Sequence, residues 1–545
     1  MPSRTFNGAL KLVITLFALV NVISAVAIES RGHPSGYDHT EKQCKKTKVA
    51  ILGAGTTGIT AAQALSNQSI SDFLIVEYKD EIGGRVAHTT FGKKDDGTPY
   101  VVELGANWVQ GLGSKGGPEN PIWTMAKKYK LNNTFSDYDS ILTYNQHGEK
   151  DFDPLWDEFD DAYSRLEQDA GYILTDNLQD RTVRSGLSLA EWKPRLKDDM
   201  MAAYAVEWWE WDWETSYTPD ESGLVFGITG FNATFYQYSD ENNYVWDQRG
   251  FNYFIKRESE TYLKPNDPRL LLSTIVTNIT YSDTGVTVYT DDGGCISADY
   301  AICTFSVGVL QHEVVTFEPK LPQWKKDSIE MFQMGTYTKI FLQFNTTFWD
   351  EKTQFFLYAD PYTRGWYPLW QSLSVPGFLP GSNILFVTVV EEQSYTAERQ
   401  TDEETKEEVM EVLRKMFPNI TVPEPIEFMY PRWSNEPWAF GSYSNWPPAT
   451  TLEMHQNLRA NVDRLYFAGE ATSASYFGFL HGAWFEGKDV GERIAGMIGG
   501  TCESEAGGCG EDLHYDELHG TTELGEYDLA NGWDVSSFVT YGFDG

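Results

Sequence analysis

Lys48-Val49-Ala50-Ile51-Leu52-Gly53-Ala54-Gly55-Thr56-Thr57-Gly58 is the stretch on which the fold turns. An apolar run reads as a short buried strand. A G-x-G-x-x-G turn follows it without a gap, and the Ala-rich run from Ile59 to Leu65 reads as a helix. The three glycines serve different ends. Gly53 permits the tight turn, Gly55 lets a pyrophosphate approach the backbone, and Gly58 lets the helix pack closely on the strand. The helix N-terminus supplies free N–H groups and a favourable dipole to that diphosphate. A second apolar strand, Phe73-Leu74-Ile75-Val76, ends at Glu77, nineteen residues after Gly58. An acid there accepts hydrogen bonds from the ribose hydroxyls and disfavours a 2′-phosphate, so NADP is not expected. The unit predicts an α/β, Rossmann-like dinucleotide site.

Outward from this unit, the 545 residues exceed what one hydrophobic core usually organises, so two domains are expected. Residues 151–244 read as helical and are dense in Trp, Asp and Glu. Thr274 to Thr280 and Val286 to Thr290 read as strands, with Asp291-Asp292-Gly293-Gly294 as a turn. Thr401 and Glu404 form a capping box at the head of a helix running to Phe417. Residues 501–545 form an acidic C-terminal tail with no Lys or Arg, expected to be largely extended or disordered. At the other end, Arg4 and Lys11 precede an interrupted apolar run from Leu12 to Val26 that closes on Ala25-Val26-Ala27. Residues 1–27 therefore read as a signal peptide, too short to span a bilayer stably. Six N-x-S/T sequons, at Asn67, Asn132, Asn232, Asn278, Asn345 and Asn419, agree with a secreted protein carrying N-glycans, extracellular or in a cell wall. Five cysteines leave at least one thiol unpaired or paired elsewhere, and Cys502 and Cys509 are spaced to close a small loop. Without C-x-x-C or H-E-x-x-H no metal is expected. The net charge of -37 repels nucleic acid and anionic membrane and suits either attraction of polycations or solubility alone.

Further motifs occur in a fixed order: Gly83-Gly84-Arg85; Glu103-Leu104-Gly105-Ala106-Asn107-Trp108-Val109-Gln110-Gly111; Ser306-Val307-Gly308-Val309-Leu310-Gln311; Tyr337-Thr338-Lys339-Ile340-Phe341; Leu465-Tyr466-Phe467-Ala468-Gly469-Glu470; and Tyr476-Phe477-Gly478-Phe479-Leu480-His481-Gly482-Ala483. In order and spacing the chain resembles the flavin-containing amine oxidase family over residues 47–500, and most nearly its secreted polyamine oxidases. The resemblance implies FAD rather than NAD. It also implies an FAD-binding domain built from residues 45–130, 245–328 and 435–500, with an α+β substrate domain from residues 131–244 and 329–434 inserted between them. It places Glu470 on an FAD ribitol hydroxyl, Arg85 near the diphosphate, and Val276 at the adenine edge. Gly105, Ala106 and Trp108 line the isoalloxazine, and Gly469 precedes Glu470 at a strand end. Lys339 is implied as catalytic, reaching flavin N5 through a water. A buried strand follows it, in which an unpartnered ammonium would be costly. Glu214, at the end of Trp208-Trp209-Glu210-Trp211-Asp212-Trp213-Glu214, is implied as catalytic and in contact with substrate. Tyr337 is implied as catalytic, and with Trp213, Tyr443 and Phe479, implied as substrate-binding, it supplies tunnel aromatics, which suit a methylene chain and hold ammonium groups by cation–π attraction.

Two positions depart from relatives. Gln110 stands where secreted plant polyamine oxidases carry Glu and many animal ones His, so it can hydrogen-bond an amine but cannot ionise. Ser442 stands where monoamine oxidases carry the cysteine that bonds flavin, so FAD is expected to be non-covalent. The implied reaction oxidises a polyamine C–N bond and reduces O2 to hydrogen peroxide. The alternatives are an L-amino-acid oxidase on the same fold, which would want a buried Arg for the carboxylate, and a catalytically silent FAD-fold glycoprotein.

Overall fold

In a computed structural model the described residues are 43–176, 178–235, 237–501 and 512–521. Residues 1–27, expected to be a signal peptide, and Cys502 and Cys509 lie outside them. Two sheets organise the chain. Val49, Ala50, Ile51 and Leu52 are all fully buried, because a strand enclosed on both faces must be apolar throughout. Their strand, Lys45–Leu52, lies parallel between Phe73–Val76 and Cys295–Cys303. The full order is Leu270–Leu271, Phe73–Val76, Lys45–Leu52, Cys295–Cys303, Gly285–Thr290, Val276–Ser282 and Thr316–Glu318. Leu465–Phe467 pairs in parallel with the far end of Cys295–Cys303. The architecture is α/β with a Rossmann-like core assembled from discontinuous segments. Helix Thr56–Asn67 packs on the last long helix, Leu480–Gly499, at close range. A Cβ on Gly487 would stand 2.3 Å from Thr57 O, and one on Gly491 would stand 2.6 Å from Ala61 O.

The second sheet runs Glu427–Met429, Tyr337–Gln343, Ile384–Val390, Leu369–Ser372, Phe355–Ala359, Ile141–Asn145 and Gly148–Glu149. Helix Asp402–Met416 covers one face, its capping box between Thr401 and Glu404 formed as expected. Val409, Met410 and Leu413 pack there with Ile340, Leu342, Val387 and Val389. The helical segment that begins at Asp153–Thr175 and ends at Leu224–Phe235 shares one buried cluster with Leu52 and Cys303 of the first sheet and Phe355 and Leu357 of the second.

Cys44 is bonded to Cys295, tying together the starts of two neighbouring parallel strands, while Cys303 is a buried free thiol. The tail, expected to be largely extended or disordered, is held against the body over residues 512–521. Asp512 pairs with Arg493, the Tyr515 backbone exchanges two hydrogen bonds with the Asn457 side chain, and His519 N donates to Glu453. The segment has no helix or strand and is held by side chains of the body. The glycan expectation needs correction at one site. Asn67, Asn132, Asn345 and Asn419 are exposed, but Asn232 lies inside helix Leu224–Phe235, is 8% exposed and donates to Glu167. An asparagine so packed cannot carry a glycan in the folded chain. Among the described residues no helix is long and apolar enough to cross a membrane.

Candidate active site

One cavity of about 490 Å³ joins the fingerprint turn to the Trp-rich helix. At its near end Gly53 has φ +117°, and a Cβ would meet Thr304 Oγ1 at 2.3 Å. Gly55 faces only Gly84, leaving the backbone bare for a close-approaching ligand. Of the residues expected to hold the cofactor, only Gly58 does not line the cavity. Its Cβ would stand 2.0 Å from Gly53 O, so it serves the packing of helix on strand. Glu77 is buried at the end of its strand, where its carboxylate accepts from Ala54 N at 2.6 Å and Lys79 N at 2.8 Å; burial pushes its pKa up. Val276 lines the same end. Helices Thr56–Asn67 and Leu480–Gly499 both start at the cavity, at Gly55 and Phe479, and no side chain caps either. Their first N–H groups are therefore open to an anion.

Midway, Arg85 and Glu470 form an ion pair at 2.8 Å. Arg85 also donates to Ser442 O, while Glu470 accepts from Ser444 Oγ at 2.6 Å and Gly478 N at 2.9 Å. Gly469, beside it, has open space where a Cβ would be. Ser442 Oγ accepts from Tyr337 N, and Ser442 lines the cavity. At Gly105 a Cβ would sit 1.8 Å from Arg85 O, so no larger residue fits without displacing backbone.

Lys339 is 1% exposed, and the sequence left open what partners its ammonium. The ammonium donates to Gly105 O at 2.7 Å, Asn107 Oδ1 at 2.8 Å and Glu103 O at 3.3 Å, and lies 5.4 Å from the centre of the Trp108 ring. Burial pushes its pKa down to about 7, Glu103 opposing the shift; burial likewise pushes the Glu103 carboxyl up to about 8. The cation is thus poised to gain or lose its proton near neutrality.

Beyond Trp108 the walls become aromatic. Trp213 meets Trp108 edge-on at 5.8 Å, Trp209 face-on at 4.7 Å and Tyr138 at 5.3 Å. Trp213 Nε1 donates to Tyr337 OH, and the Tyr337 and Tyr443 rings are 6.1 Å apart. Tyr443 OH donates to the Glu214 carbonyl at 2.8 Å, while the Glu214 carboxylate accepts from Gln110 Nε2 at 2.8 Å. Glu214 is pushed up to about 7 by burial, with Gln110 acting against that shift. Phe479 lines the same cavity, its ring against Phe235 and His481. The expected substrate residues therefore converge on one lumen. Sequence reasoning missed Asn107, the polar residue inside its own quoted motif that accepts a hydrogen bond from Lys339. It also missed Tyr138 and Thr304, which carry no local signal. Among the described residues no cluster of His, Cys, Asp or Glu could hold a metal ion.

Comparison with known proteins agrees with this geometry. Residues 56–495 match the family described as flavin containing amine oxidoreductase. Polyamine oxidase 1 of Zea mays is 38% identical over 466 residues, covering 82% of this chain and 90% of that one. Polyamine oxidase 7 of Oryza sativa subsp. japonica is 37% identical over 455 residues, covering 81% and 93%. The solved structure of wild-type putrescine oxidase bound to putrescine superposes with a TM-score of 0.65 at 17% identity, covering 84% of this chain and all of that one, a likeness of fold.

Proposed function

The chain belongs to the flavin-containing amine oxidoreductases and is an FAD-dependent amine oxidase, and from that premise we propose that the amines it oxidises are polyamines. The observation that carries the reading is one buried carboxylate, Glu214, at the aromatic end of a cavity whose other end is a dinucleotide fingerprint. The residues fit FAD. Glu77 and Val276 would hold the adenosine half, the two open helix N-termini and Arg85 the diphosphate, Glu470 the ribitol, and Gly105, Ala106 and Trp108 the ring. The cofactor is non-covalent, since the Ser442 hydroxyl offers no thiolate. When bound, flavin would supply the two-electron acceptor for the amine α C–H hydride, with O2 as the final acceptor and hydrogen peroxide as its product. The resulting imine hydrolyses to an aldehyde and a shorter amine.

The protein's own work is placement. Aromatic walls from Trp213, Tyr337, Tyr443 and Phe479 desolvate a methylene chain and hold it extended. Glu214, its carboxylate steadied by Gln110, attracts the ammonium farther from the reacting carbon. Lys339 keeps a cation beside the ring site, where it stabilises negative charge developing during oxygen reduction. A carboxylate-bearing substrate has no counter-ion here: the basic residues lining the cavity are Arg85, paired with Glu470, and Lys339, bonded to three oxygens. This disfavours the L-amino-acid oxidase reading. Secretion, with residues 1–27 removed and glycans at the exposed sequons, is part of the same proposal; the Cys44–Cys295 disulfide supports an oxidising compartment. Anaerobic addition of spermidine should bleach the flavin, and mass spectrometry should find the aldehyde and shorter amine. Bleaching by L-lysine alone would select the amino-acid oxidase, and no bleaching by any amine the silent protein. A mobility shift on endoglycosidase treatment would check the glycans.

A further inference from the structure

Helix Met200–Glu207 runs without a break into a π-helical turn, Trp208–Asp212, and then into Trp213–Thr215, which Ser216 ends at φ +57°. Glu214 belongs to that last turn, so the π turn sets where it points. On the outer side of the turn Glu207 and Asp212 carry carboxylates that are 0% and 1% exposed. They are five residues apart. In an α-helix a fifth residue lies about 140° round the axis from the first, and one side chain could not grip both. Closing the turn with i→i+5 bonds brings the fifth residue back over the first. Arg364 uses that alignment. One guanidinium donates to both oxygens of Asp212, at 2.7 Å to Oδ1, and to Glu207 Oε1 at 2.9 Å.

Arg364 arrives on a fixed support. Its loop joins strands Phe355–Ala359 and Leu369–Ser372 of the second sheet, and Asp360 ties the loop by accepting from Tyr362 N and Thr363 N. The next residue, Gly365, lies against Trp208 Nε1, at φ +73°. Arg184 and Trp192 Nε1 bind Glu207 from the other side. The inner face of the same turn carries Trp209 and Trp213, stacked at 4.7 Å, and leads to Glu214 on Gln110. Relaxation of the turn to α geometry would rotate Trp213 and Glu214 by about one residue's worth, ~100°.

We propose that Arg364 is a positioning residue for substrate: by gripping Glu207 and Asp212 it selects the π turn and so aims Trp213 and Glu214 into the tunnel. The inference rests on the reading of Glu214 as the anchor of a distal ammonium. It is tested with Arg364→Lys and Asp212→Asn in the FAD-loaded enzyme. Lys keeps a counter-charge for the buried acids but, as a point charge, loses the planar fork. Asp212→Asn keeps the shape and leaves Arg364 on Glu207. Steady-state kinetics are measured with spermidine and with a monoamine of matched chain length. The expected result is a KM for spermidine raised roughly tenfold, kcat and the flavin spectrum little changed, and monoamine kinetics near wild type. The inference is overturned if both variants keep the wild-type KM for spermidine, or if both amines lose kcat alike, which would make the network a support of the fold. Glu214→Gln separates the two levels. If it raises the spermidine KM while Arg364→Lys does not, only this inference fails. If it leaves amine selectivity intact, the reading of the tunnel fails with it.

Discussion

Replacing Glu214 by Gln isolates the charge that the tunnel offers to substrate. The carboxyl is pushed up to about 7 against an ordinary 4.5, so burial disfavours its charged form by on the order of 3 kcal/mol relative to water, and at pH 7 about half of it is ionised. An arriving ammonium removes that penalty by supplying the missing counter-charge. A charge-assisted hydrogen bond is worth about 1.5–3 kcal/mol, which at ~1.4 kcal/mol per tenfold predicts a roughly ten- to hundredfold loss of kcat/KM for spermidine in Glu214→Gln. A monoamine lacks the distal charge and should lose almost nothing. The pH dependence has a definite sign. The carboxylate, which is the attracting form, appears as pH rises through about 7, while the distal ammonium stays cationic well above that. The spermidine-to-monoamine ratio of kcat/KM, in which deprotonation of the reacting nitrogen cancels, should therefore climb between roughly pH 5.5 and 8, and Glu214→Gln should flatten it. The assay is peroxide release with each amine across the pH range. Equal losses on both amines, or a spermidine-to-monoamine ratio that still climbs with pH in Glu214→Gln, would refute the reasoning and return the Trp-rich segment to the core.

Three other outcomes are expected. Lys339→Met should slow reoxidation of reduced flavin in stopped flow with amine binding little changed; in the wild type, reoxidation should slow as pH rises past about 7, where the ammonium loses its proton, and Lys339→Met should flatten that profile. Acid or heat should release free FAD from the polypeptide, and flavin that stays with the denatured chain would contradict the argument from Ser442. Gly105→Ala places a methyl 1.8 Å from Arg85 O, so the purified variant should show a flavin-to-protein absorbance ratio well below wild type; full FAD loading would show that the backbone yields there.

The dinucleotide fold was legible in the sequence because its signals are local. A buried strand needs an unbroken apolar run, a turn at φ +117° needs Gly53, and a helix packed against a carbonyl needs Gly58; each requirement leaves a residue type at a fixed spacing. The capping box at Thr401 and the ordered family motifs were readable for the same reason. What tertiary structure alone decided are properties that belong to surroundings. Cys44 and Cys295 are 251 residues apart, and only the parallel pairing of their strands makes them partners. Asn232 matches a sequon as well as Asn345 does, yet helix packing buries it. Lys339 could be named from its motif, but its three acceptors come from residues 103–107, over two hundred positions away. Glu214 could be named too, but its ionisation near neutrality follows from aromatic walls built by four separate segments. The π turn that aims it left no local mark in the Trp-rich run, because the grip of Arg364 on two carboxylates exists only once the second sheet has formed.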